Sequence, residues 1–282
     1  MSPIRRYLRA TDVDNALAAK SEFGGAAFYL AGGTDALVFT PASSTVAIDI
    51  MHLGLDSITS REGVIEIGAT ARLRDIERHP AILDVATGAL VESLRETGPW
   101  LIRNQATLAG NICNASPSAD SVPMLLALDA EVVLSDDSTI PLDRFFVGPH
   151  QNVLSNQMVA SIRIHPRGRA GYFRKLSRSK SDIAQVNLAV TLTVENGLAR
   201  DVRIALGSVS ATPLRATRAE ALVEGQSLTP DLRAKAAQTV RAEIRPIADW
   251  RATADYRRHA AGVMVQRALA NLAGDVLDGS KQ

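Results

Sequence analysis

One cysteine, Cys113, limits what this 282-residue chain can fold into more than any other sequence feature. A single thiol cannot form an internal disulfide, a four-cysteine zinc site or a self-contained iron–sulfur cluster. The scattered histidines, with no His-x-His or His-x3-His pair, are His52, His79, His150, His165 and His259. We therefore expect a fold held by an apolar core, no metal site in this chain, and an organic cofactor for any redox chemistry.

Charge and hydropathy exclude further classes of protein. The 31 basic and 30 acidic side chains leave a formal net charge of +1, which gives no electrostatic reason to bind nucleic acid or an anionic membrane. No segment approaches the roughly 18 consecutive apolar residues of a membrane span, and the first residues lack the apolar core of a signal peptide. We expect a cytoplasmic protein without a membrane span.

The first part of the chain has the pattern of a β-α-β unit. A helix is predicted over residues 12–21, with Thr11 as its N-cap. Short buried strands are predicted over Ala27–Leu30 and residues 46–50, and another strand over Val64–Gly68.

The middle of the chain is predicted to mix helices and strands. Apolar residues at helical spacing predict one amphipathic helix over residues 82–95, ended by Gly98 and Pro99. A further helix is predicted over residues 122–130. Strands are predicted over Glu131–Leu134 and residues 158–164.

A change in composition at residues 165–171 predicts a domain boundary, in agreement with a length that suggests about two domains. Beyond it, the alternating segment Val186–Glu195, the turn Asn196-Gly197 and residues 198–206 predict a β-hairpin with a type I′ turn. Helices are predicted over residues 214–223, residues 231–243 and Ala254–Leu272. The pattern indicates an α+β protein with a smaller C-terminal domain.

The first candidate site is the segment Ala31-Gly32-Gly33-Thr34-Asp35, which follows a predicted strand. Paired glycines let backbone N–H groups approach an anion closely, and the N-terminal end of a following helix favours the same anion. A plain strand-to-helix turn explains this short motif without a ligand. Asp35 is itself anionic, so we expect it to cap the following helix rather than touch a phosphate.

The second candidate site is the segment of residues 107–120, which is dense in Gly, Asn, Ser, Thr and Asp and lies between two apolar helices. Such short side chains satisfy the polar groups of a buried loop and leave donors for a ligand. An ordered loop that binds no ligand is the alternative.

Together the two segments resemble the FAD-binding subunit or domain of the molybdenum hydroxylase family, which includes xanthine dehydrogenase and carbon monoxide dehydrogenase. Residues 31–35 match the family pattern Ala-Gly-Gly-x-[Asp/Ser]. Residues 107–120 resemble the family pattern Thr-x-Gly-Gly-Asn-Ile-x-x-Ala-[Ser/Asp]-Pro-x-x-Asp. Arg103 and Gln105 lie in the Ile-Arg-Asn-x-Ala-Thr approach. Residues 172–187 resemble the family's flavin-edge segment, and residues 255–269 resemble its closing helix.

The resemblance implies an α+β architecture in two parts. Residues 1–168 would form a two-subdomain FAD-binding fold of the vanillyl-alcohol-oxidase-like (PCMH) type, with subdomains at 1–58 and 59–168. Residues 169–282 would form a smaller α+β C-terminal domain with a short antiparallel sheet and helices.

The resemblance also implies individual roles at the cofactor. The first segment would cradle the FAD pyrophosphate, and the second would line the flavin or its ribityl chain. Ser116 and Asp120 would bind ribityl or adenosine hydroxyls, Lys175 would lie near the pyrimidine edge of the flavin, and Ile183 would cover one face of the ring. The implied cofactor-binding residues are Leu30, Ala31, Gly32, Gly33, Thr34, Asp35, Thr107, Leu108, Ala109, Gly110, Asn111, Ser116, Asp120, Lys175 and Ile183.

Some residues depart from the family pattern or have simpler interpretations. The family usually has Gly at the position of Ala109. The carbon monoxide dehydrogenase branch has an aromatic residue at the position of Ile183, so the sequence of the flavin-edge segment is closer to that of the xanthine dehydrogenase branch. Charge alone would place Lys175 on a solvated hairpin face, in a run of basic residues. Cys113 is expected to be a packed residue without a redox role, and Trp100 is expected in the core.

The resemblance implies an FAD-binding electron-transfer subunit that contributes no catalytic residue of its own. Its expected partners are a small subunit with 2Fe-2S clusters and a large molybdopterin subunit, in a dimer of heterotrimers. Electrons would pass from the iron–sulfur clusters through FAD to NAD or another acceptor, with xanthine or another N-heterocycle as the substrate of the complex.

Two alternatives come from other classes of protein. One is a stand-alone flavin-dependent oxidoreductase of the wider vanillyl-alcohol-oxidase-like fold. The other is a non-catalytic scaffold or assembly chaperone that kept the fold without the cofactor. Hydrolase and kinase functions have no support, because the sequence has no Gly-x-Ser-x-Gly, Walker or Gly-x-Gly-x-x-Gly motif.

Overall fold

The computed structural model describes residues 4–39 and 43–274. The predicted domain ranges extend over residues 1–3, 40–42 and 275–282, which lie outside the described residues. Within the described part of the chain, no helix combines the length and the apolar composition needed to cross a bilayer.

The first unit is a small parallel sheet with a helix packed on it. Strands β1 (Arg6–Arg9), β2 (Ala27–Leu30) and β3 (Val46–Asp49) pair in the order β1-β3-β2, and both pairs are parallel. Helices α1 (Val13–Phe23) and α2 (Ala36–Phe39) follow β1 and β2. The predicted β-α-β unit is confirmed, with one more strand than predicted.

The N-cap predicted for α1 is wrong by one residue. Asp12 caps the helix, because its Oδ1 accepts a hydrogen bond from the N–H of Asn15 at 2.8 Å. The hydroxyl of Thr11 instead donates to Oδ2 of Asp12 at 3.0 Å, so the threonine supports the capping residue.

The second unit combines a five-stranded antiparallel sheet, a two-stranded ribbon and several short helices. The sheet runs in the order β4-β5-β10-β6-β7, and the ribbon pairs β8 with β9. Its strands are β4 (Ile58–Arg61), β5 (Val64–Gly68), β6 (Glu131–Leu134), β7 (Thr139–Pro141), β8 (Phe146–Gly148), β9 (Gln151–Asn152) and β10 (Val159–Ile164). Its helices are α3 (Leu73–Ile76), α4 (Pro80–Leu83), α5 (Ala89–Glu96), α6 (Trp100–Arg103), α7 (Leu108–Cys113) and α8 (Val122–Ala127).

The single helix predicted over residues 82–95 is wrong. Ala86 and Thr87 have φ angles of 51° and 54°, so a 3-10 turn over Val85–Gly88 separates α4 from α5. The Thr87 hydroxyl exchanges hydrogen bonds of 3.2 Å with the backbone of Gly171, a residue far along the chain. The helical periodicity of this segment could not reveal a break made by a distant strand.

The third unit is a four-stranded antiparallel sheet followed by helices. Its strands, in spatial order, are β11 (Ala170–Leu176), β12 (Val186–Glu195), β13 (Leu198–Gly207) and β14 (Leu214–Arg215). Its helices are α9 (Thr217–Val223), α10 (Pro230–Glu243) and α11 (Ala254–Leu272). Asn196 and Gly197 have φ angles of 51° and 77°, as the predicted type I′ turn requires. The helix predicted over residues 214–223 is wrong at its start, because β14 pairs with β13.

The sheet of the third unit is covered on both faces. Along β12, Leu188 and Val190 belong to the core that contains α10 and α11, whereas Ala189 belongs to the core of the second unit. Thr191 also faces the second unit, where its hydroxyl donates to the carbonyl oxygen of Ala127 at 2.7 Å. The mixture of helices and mainly antiparallel sheets confirms the α+β prediction, and the shared sheet brings β11 and β12 against the segment of residues 107–120.

Candidate functional site

The first predicted segment, residues 31–35, is a loop between β2 and α2 with unused backbone donors. The N–H groups of Gly32, Gly33, Thr34 and Asp35 donate no hydrogen bond to another described residue. Half-buried amides without partners are rare in proteins, and a run of them forms a concave site that binds anions. The φ of Gly33 is 69°, a conformation that favours glycine. The loop therefore has the donors that a pyrophosphate requires.

The first segment packs closely against the residues just before the second segment, and one hydrogen bond joins the two segments directly. A Cβ atom on Gly32 would lie 2.6 Å from the carbonyl carbon of Gln105 and closer still to its oxygen. Asn114 provides a second link, because its Nδ2 donates to Oδ2 of Asp35 at 3.2 Å. The carboxylate of Asp35, which was expected to cap α2, thus contacts the second segment. The backbone carbonyl oxygen of Asp35 accepts a hydrogen bond from the N–H of Phe39 at 2.8 Å.

The second predicted segment begins with a helix, α7, rather than with the loop that its composition suggested. Thr107 caps this helix, since its Oγ1 accepts a hydrogen bond from the N–H of Gly110 at 3.1 Å. Oδ1 of Asn111 accepts from the hydroxyl of Ser121 at 2.7 Å. The threonine was the one signal for this helix, which is too short for periodicity to reveal.

The apolar members of α7 are turned inward. Leu108 and Ala109 are buried, and the methyl group of Ala109 therefore packs inside the second unit. Burial raises the pKa of the Cys113 thiol to about 12, so the thiol stays protonated. This agrees with the interpretation of Cys113 as a packed residue.

The remainder of the second segment is anchored to the third unit. Oγ of Ser116 accepts a hydrogen bond from the N–H of Ser118 at 3.3 Å, which closes a tight turn. The carbonyl oxygen of Pro117 accepts from the N–H of Ser208 at 2.7 Å.

Lys175 and Asp120, which come from different predicted segments, form a buried ion pair. Their Nζ and Oδ2 atoms are 2.8 Å apart, with 3% and 9% of the two side chains exposed. Nζ also donates to the carbonyl oxygen of Glu96 at 3.1 Å, and Nδ2 of Asn187 donates to Oδ1 of Asp120 at 2.9 Å. Burial raises the pKa of Asp120 to about 6, against the opposing effect of Lys175.

The solvated position that charge alone predicts for Lys175 is wrong. Alternate residues of β11 point to opposite faces of its sheet, and Phe173 and Lys175 both point to the second unit. The carbonyl oxygen of Glu96 is a contact that sequence reasoning missed, because a backbone acceptor leaves no signal in residue type.

Ile183 lies in the connection between β11 and β12, with 48% of its surface exposed. This connection is restrained at both ends. Asp182 accepts hydrogen bonds from the guanidinium of Arg178 and from the N–H of Ile183, each at 2.9 Å, and Gln185 donates to the carbonyl oxygen of Arg251 at 2.7 Å. An exposed apolar side chain on a restrained loop is available to cover a planar ligand.

Trp100, which was expected in the core, is 58% exposed. The inward position of α6 is taken by Arg103, whose Nε donates to the buried carboxylate of Glu77 at 2.9 Å. Nη1 of Arg103 also donates to the carbonyl oxygen of Gly98 at 2.6 Å. An ion pair therefore anchors α6 and turns its tryptophan outward.

The residues present fit FAD in charge and in the hydrogen-bond donors that they offer. The amides of residues 32–35 supply donors for two phosphates, and the missing side chains of Gly32 and Gly33 leave that backbone open to a ligand. The pair of Lys175 and Asp120 sets a cation and an acceptor side by side, which suits the polar edge of a flavin ring.

Known protein families match both parts of the chain. The model for the FAD binding domain in molybdopterin dehydrogenase matches residues 2–166. The model for the CO dehydrogenase flavoprotein C-terminal domain matches residues 171–272.

Individual relatives agree with these matches. The chain is 31% identical to the uncharacterized protein YgfM of Escherichia coli K12, over 93% of this chain and 94% of that protein. It is 28% identical to the putative xanthine dehydrogenase FAD-binding subunit XdhB of the same strain, over 86% and 87% of the two chains. A solved structure of carbon monoxide dehydrogenase from Hydrogenophaga pseudoflava superposes with a TM-score of 0.90 at 31% identity, covering 97% of this chain and 98% of that one. The predicted fold, an FAD-binding part followed by a C-terminal part, is confirmed by this likeness.

Proposed function

The chain belongs to the family of FAD-binding subunits of molybdenum hydroxylases, and from this premise we propose that it carries electrons from iron–sulfur clusters, by way of FAD, to NAD or another acceptor. Homologous subunits are parts of oxidoreductases, and in this family the partner subunits carry molybdopterin and iron–sulfur clusters. The chain itself contributes cofactor binding and no group that reacts with the substrate.

One observation carries this proposal: four consecutive backbone N–H groups donate to no other described residue, beside a second segment that is built into the fold. A protein tolerates such donors when a ligand satisfies them. Because Gly32 and Gly33 begin the run, a pyrophosphate can approach the amides without meeting a Cβ atom.

Bound FAD would supply the electron-transfer chemistry, since its ring system accepts electrons singly or in pairs. Residues 32–35 would hold its pyrophosphate, and Ile183 would keep water from one face of the ring. Lys175 holds a positive charge in a buried position, which favours the build-up of negative charge on a neighbouring group. Asp120, with its pKa raised to about 6, is an acceptor that can take up a proton near neutral pH.

The substrate, the acceptor, the assembly and the domain boundary are finer parts of the same proposal. The sequence of residues 182–184 favours xanthine or another N-heterocycle as the substrate of the complex, and the acceptor is NAD or another acceptor. We further propose a dimer of heterotrimers in the cytoplasm. The division into domains at residues 168 and 169 is part of the same proposal, supported by the passage there from the sheet of β10 to the sheet of β11.

The test is purification of the complex from its native cells through an affinity tag on this chain. We expect one FAD per chain, co-purified iron–sulfur and molybdopterin subunits, and reduction of NAD that depends on xanthine. An artificial dye used as the electron acceptor tests the substrate and the acceptor separately. If xanthine reduces the dye but not NAD, the assignment of NAD is wrong and that of xanthine stands. A chain that purifies alone and turns over substrate would instead be a stand-alone flavin oxidoreductase, and a complex without flavin would contradict the proposal.

A further inference from the structure

A cavity of about 640 Å³ opens where the second unit passes into the third. Its walls are the turn between β4 and β5, the 3-10 turn Val85–Gly88 and the connection from β10 to β11. This volume is within the range of roughly 300–1,000 Å³ that small-molecule sites occupy. The cavity is therefore large enough to hold a small organic ligand.

The cavity lies at the opposite end of β5 from the second candidate segment. Val64, the first residue of β5, lines the cavity, whereas Arg72, beyond the last residue of β5, forms a β-bridge with Thr107. The strand covers about 13 Å from Val64 to Gly68, at roughly 3.3 Å per residue. No implied cofactor-binding residue is among the described residues that line the cavity. The cavity is thus separate from the candidate FAD site.

Two turns in the cavity wall are held in place by hydrogen bonds. The hydroxyl of Thr87 exchanges hydrogen bonds of 3.2 Å with the backbone of Gly171, and the N–H of Arg169 donates to the carbonyl oxygen of Pro166 at 3.1 Å. Arg167, inside the second turn, has a φ angle of 50°. Residues other than glycine adopt this conformation uncommonly, and such strained residues are concentrated at functional sites.

The arginine side chains at this end of the cavity outnumber the carboxylates that they pair with. The four guanidiniums are those of Arg167, Arg169, Arg203 and Arg215. The three carboxylates are those of Asp129, Asp201 and Glu220. One positive charge is therefore in excess within this group of ion pairs.

Arg167 is the arginine of this group that is available to a ligand. Its Nη1 lies 3.7 Å from Oδ2 of Asp129, which is longer than a hydrogen bond. Nη1 of Arg169 is closer to the same oxygen, at 3.0 Å, and Nε of Arg203 donates to Oδ1 of Asp129 at 2.9 Å. The side chain of Arg167 is 55% exposed, whereas that of Arg169 is fully buried.

The rest of the lining restricts the kind of anion. Val64, Ala81 and Pro166 are half-buried and give the cavity apolar surface, on which an apolar group of a ligand can pack. Glu62 and Asp84 also line the cavity and are exposed. Their carboxylates repel an anion with several charges more strongly than an anion with one. The lining therefore favours a single negative charge on an apolar body.

We propose that this cavity binds a small organic acid, whose carboxylate pairs with Arg167 and whose apolar ring or chain packs on Val64 and Ala81. A guanidinium and a carboxylate can form two parallel hydrogen bonds, which fixes the orientation of the acid. This binding site goes beyond the proposed electron-transfer function and does not depend on it.

The experiment titrates the full chain, saturated with FAD, with four probes and follows binding by calorimetry. The probes are 2-naphthoate, its uncharged analogue 2-naphthamide, acetate, which lacks the apolar body, and 2-naphthyl phosphate, which carries a second negative charge. We expect saturable binding of 2-naphthoate, at least tenfold weaker binding of the amide and of acetate, and several-fold weaker binding of the phosphate.

Two variants alter opposite parts of the site. Arg167→Gln removes the positive charge and should weaken the binding of 2-naphthoate at least tenfold. Ala81→Leu narrows the apolar part and should weaken it several-fold. The matched controls are Arg218→Gln on α9 and Ala234→Leu on α10, which alter exposed side chains away from the cavity and should bind as the unaltered chain does.

Several outcomes would overturn the proposal. They are no binding of 2-naphthoate, equal binding of its amide, tighter binding of the phosphate, or an affinity that neither cavity variant changes. Binding that appears only in the absence of FAD would assign the probe to the nucleotide site and would also overturn it. A chain that holds no flavin would contradict the proposed function instead, and the same titrations without FAD would still test this inference.

Discussion

The two glycine-containing segments of this protein differ in whether their polar groups are hydrogen-bonded within the protein. Four backbone N–H groups of residues 31–35 donate to nothing in the part of the chain that the structure describes, whereas residues 107–120 bond their polar side chains to neighbouring residues and to the third unit. The first segment is therefore built to be completed by a ligand. The second has its polar side chains bonded within the fold, and it supports the first through the hydrogen bond from Asn114 to Asp35.

The contrast explains why a backbone cradle needs a rigid neighbour. Donors that point at a ligand cannot also bond to the fold, so residues 31–35 have few contacts of their own to fix their position. The carbonyl of Gln105, two residues before the second segment, lies directly under Gly32, and Asn114 bonds to Asp35, so residues 105–114 set the place of the first segment.

The change expected to have the largest effect is Gly32→Ala. The new Cβ would lie 2.6 Å from the carbonyl carbon of Gln105, so the backbone must shift and the cradle must separate from its support. We expect purified protein with little or no FAD, measured by visible absorbance. Gly25→Ala is the control, since nothing lies within 4 Å of its added Cβ. Equal flavin content in the two variants would show that the contact is dispensable.

Next in size is Lys175→Met, which leaves the carboxylate of Asp120 buried without its cation. Removing one partner of a buried ion pair costs about 3–5 kcal/mol, and we expect a loss of this size in the free energy of unfolding in urea. Lys235→Met, at an exposed position on α10, should have almost no effect. Lys175→Met/Asp120→Leu should recover part of the stability. A single variant as stable as the control would mean that the pair contributes little to the scaffold.

The protonation of Asp120 makes the stability of the second segment depend on pH. Its pKa is raised from 3.8 to about 6, so between these values the folded chain holds a proton that the unfolded chain has released. Protonated Asp120 therefore stabilises the fold fully below pH 4, and this stabilisation is lost as the pH rises to 6. The loss in unfolding free energy is about 3 kcal/mol, because each unit of pKa shift corresponds to roughly 1.4 kcal/mol. The difference in unfolding free energy between wild type and Asp120→Asn should therefore fall from pH 4 to pH 6 and then level off. A difference that stays constant or grows over this range would contradict the raised pKa.

The smallest expected effect is that of Thr107→Ala, which removes the cap of α7. Loss of a threonine cap costs about 1 kcal/mol, and the unfolding free energy should fall by this amount. Thr229→Ala is a matched control, because Thr229 caps α10 through the same kind of hydrogen bond, from the N–H of Leu232 at 3.3 Å. If the second segment is mainly a scaffold, the two variants should bind FAD within a few-fold of each other. A much weaker affinity in Thr107→Ala alone would show that its hydroxyl contacts the cofactor.

Local patterns predicted the elements whose contacts are local. The hairpin of β12 and β13 follows from alternation and from the positive φ angles that Asn196 and Gly197 adopt readily. Helix α11 was predicted from its first to its last residue. The predicted helix over residues 82–95 was wrong because Thr87 bonds to Gly171, and the turn at that point depends on a strand that is distant in sequence.

The sequence by itself determined that the chain holds no disulfide, that two glycine-containing segments carry a dinucleotide-binding pattern, and which family that pattern belongs to. Tertiary structure alone decided that Lys175 pairs with Asp120, that Asp35 contacts Asn114 and that Gly32 lies on the carbonyl of Gln105. The physical reason is that residue type and spacing encode backbone conformation over a few residues, whereas the partner of a side chain depends on which face of a strand or helix another part of the chain comes to cover.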